Sequence, residues 1–374
     1  MRREADGSRA RLFGRRLQAF SPRSAGPIWP MELLVPTTIV LAHGIREQRA
    51  CGKRFEMEAQ DQALVALGEN LQAAGYRFTT VTPKSHLRVN NGVGNERATS
   101  LEAVFGWNRP FQRGDIPQRI TTLLEEASEL EIFEDSVRSK VRFSTLADQL
   151  FVHSSFPTES ADAVFFGPDT YRFARVLKHA LQGLEVAAPF TIIDIGCGSG
   201  AGGLFAALQL SPHADVDVIL SDINPKALRY ARINAALNGI RNVRTVLSDL
   251  FDQINDPGNL IMSNPPYLVD SSARLYRHGG GEFGFELSLR IVEASIDRLR
   301  SGGRLVLYTG TPVVGGVDKF YQALRPVLEA RRCSYTYDEI DPDVFGEELE
   351  SAPYDRADRI AVVVLTLEAG KEAV

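Results

Sequence analysis

A chain of 374 residues that is 44% hydrophobic and 24% charged carries enough apolar material for a sizeable core, which excludes a mostly disordered protein. No run approaches the ~18 consecutive apolar residues of a membrane-spanning helix. The three scattered cysteines, Cys51, Cys197 and Cys333, make neither a disulfide framework nor a zinc set, as expected of a cytoplasmic protein without a metal. A net charge of −5 excludes a chain whose whole surface grips nucleic acid.

That charge is unevenly placed. Residues 1–30 hold seven arginines against Glu4 and Asp6, a formal +5 that leaves −10 on the rest. Pro22, Pro27 and Pro30 break any periodic pattern there, so residues 1–30 read as a basic flexible extension, without the apolar stretch of a secretory signal. A smaller mixed α+β N-terminal domain is expected over residues 31–158, recruiting the substrate. Leu64, Val65, Leu67 and Leu71 recur at helical spacing between Glu56 and Ala74, and Gly75 ends the run. Arg77–Pro83 reads as a short strand, Ser100–Phe105 and Asp115–Leu130 as helices, and Val141–Phe143 with Gln149–Val152 as a hairpin. Trp107 and Phe111 read as core aromatics, and His153 and His179 as partly exposed polar positions.

From residue 159 to 374 the texture changes. Strands are expected at Phe190–Ile195, Val216–Ser221, Val243–Leu247, Leu260–Ser263 and Arg304–Thr309. They alternate with helices at Ala201–Leu210, Pro225–Asn238, Phe285–Leu299 and Val317–Glu329. Strands alternating with helices require crossovers, hence an α/β domain with a mostly parallel sheet covered on both faces. Two further strands near Ser334–Glu339 and Arg359–Leu367 have no helix between them and are expected to pair antiparallel at one edge. The acidic stretch Asp338–Glu350 reads as a solvated loop.

Directly after the first of these strands, Gly196, Gly198 and Gly200 open a helix, the arrangement that lets a ligand approach backbone. The same residues satisfy a dinucleotide fingerprint, which keeps a nicotinamide enzyme open. Asp194 stands two residues before the first glycine. Asp222 ends the second strand, where a carboxylate can take both hydroxyls of a ribose, and Asp249 follows the third, placed to accept from an adenine amino group. Acidic groups after three successive strands repel phosphate and favour a nucleoside that carries positive charge. S-adenosyl-L-methionine, with a sulfonium and an ammonium, has that chemistry. For Asp222 and Asp249 singly, helix capping or turn formation is the competing explanation.

At the end of the fourth strand stand Asn264, Pro265, Pro266 and Tyr267. Two successive prolines stiffen the turn and remove its N–H groups. The Asn264 side-chain oxygen and the Pro265 carbonyl can then each accept a hydrogen from one NH2 group, aiming its lone pair at a methyl donor. Tyr267 offers a flat face for a planar amide or base.

On these residues the C-terminal domain resembles a class I S-adenosylmethionine-dependent methyltransferase of the Asn-Pro-Pro-Tyr group, and within it the HemK/PrmC family that methylates the glutamine amide of peptide release factors. Two further stretches carry the likeness: Phe166-Gly167-Pro168-Asp169-Thr170 before the first strand, and Tyr276–Leu289 after the Asn-Pro-Pro-Tyr turn. The resemblance implies a Rossmann-like seven-stranded sheet in the order 3-2-1-4-5-7-6. It also implies Thr170 and Asn264 at the cofactor, methyl transfer to a planar nitrogen, and a protein substrate such as a release factor. Gly167 stands where the family has arginine and Tyr171 where it has glutamate. Two alternatives stay open: methylation of an exocyclic amine of adenine or guanine in RNA or DNA, and a non-enzymatic cofactor-binding regulator. The triglycine Gly279–Gly281, preceded by Arg277 and His278, reads as flexible enough to form a lid over the substrate, His278 as a solvated loop histidine, and Cys197 as a packing residue rather than a nucleophile.

Overall fold

The computed structural model describes residues 57–133, 135–210, 215–270 and 274–370, so the basic extension, residues 31–56 and Cys51 lie outside the described residues. Helix α1 (Ala59–Ala73) buries Leu64, Leu67 and Leu71 on one face, and Gly75 ends it with φ +73°. Residues 77–82 do not form the expected strand. They run extended beside the later hairpin with only isolated bonds, Thr145 N to the Phe78 carbonyl at 2.8 Å and Thr80 N to the Tyr171 hydroxyl at 2.9 Å. Thr82 instead caps helix α2 (Pro83–Asn90), with Pro83 in its first turn. Ser100 caps α3 (Leu101–Phe105), and α4 (Gln118–Glu126) stops short of the expected Leu130 because Ser128 turns the chain at φ +59°. Leu130 opens a hairpin absent from the sequence reading, β1 (Leu130–Ile132) with β2 (Val137–Ser139).

The hairpin expected after it is longer than its apolar centre: β3 (Val141–Leu146) pairs with β4 (Gln149–Ser154) across Ala147 and Asp148, both at positive φ as a tight two-residue turn requires. His153 is buried rather than partly exposed. Its Nδ1–H donates to the Ser154 carbonyl at 3.0 Å, its Nε2 accepts from the Ser144 hydroxyl at 2.8 Å, and its ring stacks on Phe166. Phe111 is fully buried, and Trp107 meets Phe78 edge-on with centroids 5.1 Å apart.

Helix α5 (Pro168–Ala180), which the sequence reading did not distinguish, leads into the central sheet. Its strands are β5 (Phe190–Ile195), β6 (Val216–Asp222), β7 (Val243–Leu247), β8 (Gly258–Ser263), β9 (Leu299–Val314), β10 (Val317–Asp318), β11 (Ser334–Asp341) and β12 (Arg359–Glu368). Between them lie α6 (Ala201–Leu210), α7 (Pro225–Leu237), α8 (Glu286–Ile296) and α9 (Lys319–Ala330). The order is β11-β12-β9-β8-β5-β6-β7, with β10 folded back on the end of β9. Strands β5 to β9 are parallel, while β12 and β11 run antiparallel at one edge.

Alternation along each strand splits the core into two layers. Ile192, Leu260, Met262 and Tyr308 face α5, α6 and α7, whereas Ile193, Ile261, Leu305 and Leu307 face α8 and α9. Helix α7 is buried on both sides. Leu228, Ala231 and Ala235 pack on the sheet, and Ala227, Tyr230, Ile233 and Leu237 join the core of the preceding elements. A Cβ on Gly68 of α1 would lie 2.6 Å from Leu237, so glycine is what lets the two helices cross this closely. Arg229 of α7 bridges Asp61 and Glu129. Packing is therefore continuous across the expected boundary at residue 158.

Candidate active site

A crevice opens at the C-terminal ends of β5, β6, β7 and β8, where the switch in strand order leaves a gap between successive crossovers. Thr170, Asp194, Gly196, Gly198, Asp222, Asp249, Asn264 and Pro265 all line this one cavity. Gly200 and Tyr267 do not. Gly196 and Gly198 adopt φ of +66° and +53°, and a Cβ on either would meet no heavy atom within 4 Å. They bare backbone to open space. Gly200 packs instead: a Cβ there would lie 3.1–3.2 Å from Leu220, Ala231 and Leu204, between strand and helix.

The two inner carboxylates organise the loop. Asp222 accepts from Gly198 N and from Asn224 N, each at 2.9 Å, one on each oxygen. Burial pushes its pKa up. Asp194 is 2% exposed and accepts from Gly203 N at 2.8 Å. Burial, with the Asp222 charge as a further contribution, raises it to about 7. Asp249 is half exposed and pairs with Arg290 at 3.2 Å. Cys197 is buried in the loop, and burial lifts its thiol well above the ordinary value, which suits packing and not nucleophilic attack.

Asn264 and Pro265 line the same cavity just past the end of β8. Among the described residues neither the Asn264 amide nor the Pro265 carbonyl has a hydrogen-bond partner, so both are available to a ligand. Tyr267 departs from the stacking role read from sequence. Its ring is 7% exposed, lies against β9 at Gly310 and meets Phe345 edge-on at 6.0 Å. Its hydroxyl donates to Asp169 at 2.7 Å. Thr170 accepts from Gly167 N at 3.2 Å in the first turn of α5, one residue from Asp169.

The triglycine is not a free lid. Gly279 N donates to the Leu268 carbonyl at 2.8 Å, and a Cβ at Gly279 would stand 1.8 Å from the Gly284 carbonyl oxygen and 2.5 Å from that of Pro266. His278 is exposed and accepts from Asp270 N at 3.2 Å. The acidic stretch 338–350 is likewise only partly loop: its first residues extend β11, and Val344 and Phe345 pack into the core.

Two cavity-lining residues escaped the sequence reading. Phe165 and Tyr276 stack face to face with centroids 5.5 Å apart, and the Tyr276 hydroxyl donates to the Thr158 carbonyl at 2.9 Å. Their 111-residue separation leaves no local signal of the pairing; Phe165 directly precedes Phe166-Gly167-Pro168-Asp169-Thr170 and Tyr276 opens the Tyr276–Leu289 stretch.

Residues 174–313 match the family model described as Methyltransferase small domain. The release factor glutamine methyltransferase of Deinococcus radiodurans is 34% identical over 165 residues, covering 40% of this chain and 55% of that protein. The corresponding Chlamydia trachomatis serovar L2 protein is 39% identical over 144 residues, covering 36% and 48%. A ribosomal RNA small subunit methyltransferase C from Hamiltonella defensa is 32% identical over 127 residues, covering 34% of each chain. This chain thus spans about half the length of the release-factor relatives it matches. Among the described residues no helix is long and apolar enough to cross a membrane, and no group of side chains could hold a metal ion. Residues 174–313, which carry the glycine loop and the Asn264–Tyr267 turn, thus match a methyltransferase domain and are similar to the release factor glutamine methyltransferases.

Proposed function

We propose that the protein transfers a methyl group from S-adenosyl-L-methionine to a planar NH2 nitrogen, and that this nitrogen is the side-chain amide of a protein glutamine. The observation that carries the reading is the pair of unpartnered acceptors at Asn264 and Pro265, in one cavity with Asp194, Asp222 and a glycine loop whose missing side chains leave room for a ligand. The lining fits that cofactor: among the described residues its only charged members are three aspartates, a set suited to a cationic nucleoside and unfavourable to a pyrophosphate. When bound, the cofactor supplies an electrophilic methyl on a sulfonium.

The chain's own residues do the rest. Asp222 holds the Gly198 backbone and keeps lone pairs for ribose hydroxyls, while Gly196 and Gly198 let the ligand reach the loop backbone. Asn264 and the Pro265 carbonyl each take one hydrogen of the acceptor NH2 and fix its nitrogen, which is catalysis by orientation. Phe165 and Tyr276 add a stacked aromatic pair to the cavity lining. Recognition of the acceptor falls to the elements α1 to β4, packed beside the crevice through α7.

The rRNA methyltransferase relative supports a second reading, an amine of an RNA base. A nucleotide brings its phosphates close to the reacting base, and among the described residues no lysine or arginine lines the cavity to receive them, which is why the glutamine amide is preferred. Incubation with tritiated S-adenosylmethionine and cell extract separates the two. Label in a protease-sensitive, nuclease-resistant fraction is expected; label lost on nuclease treatment would replace the glutamine reading with the nucleic-acid one.

A further inference from the structure

The turn that presents Asn264 and Pro265 is held by remarkably little backbone bonding, and what holds it comes from elsewhere in the chain. Ser263 ends β8 with its hydroxyl on the Ile195 carbonyl at 2.6 Å, and Leu268 re-enters regular bonding through the Arg277 carbonyl at 3.2 Å. Between them two prolines lack N–H groups. Among the described residues the only hydrogen bond from this stretch is made by the Tyr267 hydroxyl.

Its acceptor is Asp169, 98 residues earlier in the chain and 7% exposed. One carboxylate oxygen of Asp169 takes Tyr267 at 2.7 Å. The other takes the Tyr308 hydroxyl of β9 at 2.8 Å and Arg172 at 2.9 Å. The Tyr267 ring lies directly on the sheet, since a Cβ on Gly310 would stand 2.2 Å from it. Burial, with the Asp169 charge as the next contribution, lifts both phenols far above their ordinary value, so each stays protonated and keeps donating.

We propose that Asp169 is a positioning residue for methyl transfer, which sets the aim of Asn264 and Pro265 by accepting the Tyr267 hydroxyl while Tyr308 and Arg172 hold the carboxylate in place. The inference rests on the methyl-transfer reading for its kinetic consequence but not for the strut itself. Asp169 is not among the residues that line the cavity; it acts through Tyr267. Charge-assisted bonds of this kind are about twice as strong as neutral ones, and a buried phenol without an acceptor drives its ring to move.

The test uses the full chain carrying Asp169→Asn, Tyr267→Phe or Tyr308→Phe. Misplacing an orienting group by an ångström costs about a hundredfold in rate. Asp169→Asn and Tyr267→Phe are therefore each expected to lower kcat for tritium transfer to the labelled acceptor fraction by about that factor, with S-adenosylmethionine affinity by calorimetry unchanged within about twofold. The two changes combined should do no more than either alone, and Tyr308→Phe, which leaves Asp169 to Tyr267, should lose far less. Amide hydrogen exchange over residues 263–269 should quicken in Asp169→Asn and Tyr267→Phe while the glycine loop stays protected. Exchange unaltered in both variants, or cofactor affinity falling in step with kcat, overturns the proposal. A wild-type chain that binds cofactor yet labels nothing would sink the methyl-transfer reading instead, and the exchange result would still decide whether Asp169 holds the turn.

Discussion

The side-chain amide of Asn234 donates to the Ser199 carbonyl at 2.8 Å, tying helix α7 to the glycine loop. The same amide closes a pair of bonds with the backbone of Val152, donating to its carbonyl at 3.0 Å and accepting from its N–H at 2.7 Å. Asn234 is fully buried and so covers the open edge of β4 as a neighbouring strand would. One residue thereby joins the hairpin, the helix and the loop that faces the cofactor. Asn234→Leu keeps the volume but leaves three backbone groups buried and unpaired, at ~1–3 kcal/mol each. We expect a loss of at least about 3 kcal/mol in chemical denaturation, together with weaker S-adenosylmethionine binding. A variant with wild-type stability would show that the loop is held by other means.

The Asn264 side chain has no hydrogen-bond partner among the described residues, so removing its amide should not disturb the fold. Asn264→Ala is expected to leave the thermal midpoint and cofactor affinity near wild type while lowering turnover by about a hundredfold to a thousandfold, as loss of an orienting hydrogen bond does elsewhere. Steady-state kinetics beside calorimetry decides it. Surviving turnover would mean that another group holds the acceptor nitrogen.

Asp194 gives the site a pH signature. Its pKa of about 7 lies well above the ordinary carboxylate value of 3.8 because burial disfavours the charge. A carboxylate raised in this way holds more protons folded than unfolded, so its contribution to stability is present at low pH and is lost as pH rises from about 4 through about 7. A bound cation favours the ionised form. Cofactor affinity should therefore rise with pH through neutrality, and binding at pH 7 should release up to about half a proton. Calorimetry in buffers of different ionisation enthalpy measures that release; Asp194→Asn should abolish it.

Gly279 is enclosed by carbonyl oxygens on two sides. Gly279→Ala forces the loop carrying Tyr276 away from Pro266, at a cost of ~1–3 kcal/mol typical of overpacking. We expect reduced turnover along with readier proteolysis within residues 274–285, read by limited digestion. An Ala variant as resistant as wild type would show that the loop rearranges freely.

How much of this was legible beforehand depends on the distance over which each feature is encoded. Apolar alternation and glycine or proline punctuation are written within a few residues, and they were enough to read the α/β sheet and the placement of Gly196 and Gly198 directly after a strand that carries Asp194. Strand β9, however, runs from Leu299 to Val314, beyond the expected Arg304–Thr309 at both ends, and Leu299 and Val317, expected in helices, lie in strands. Such local signals fail where a segment is decided by its surroundings. Residues 77–82 are strand-like in composition but lack a partner to complete a ladder, and Thr82 with Pro83 turns them into a helix start. His153 was read as partly exposed, yet the Ser144 hydroxyl and the Ser154 carbonyl satisfy it in the core.

The clamp of Tyr267 and Tyr308 on Asp169, the stacking of Phe165 on Tyr276 and the reach of Asn234 to Val152 and Ser199 have no local pattern at all. Each joins residues tens to more than a hundred positions apart, and side chains that distant become neighbours only when the crossovers bring the strand ends together. The residue types offering chemistry were already visible in the amino-acid order. Their aim was decided by tertiary structure, because a buried polar group must find its partner wherever packing puts one.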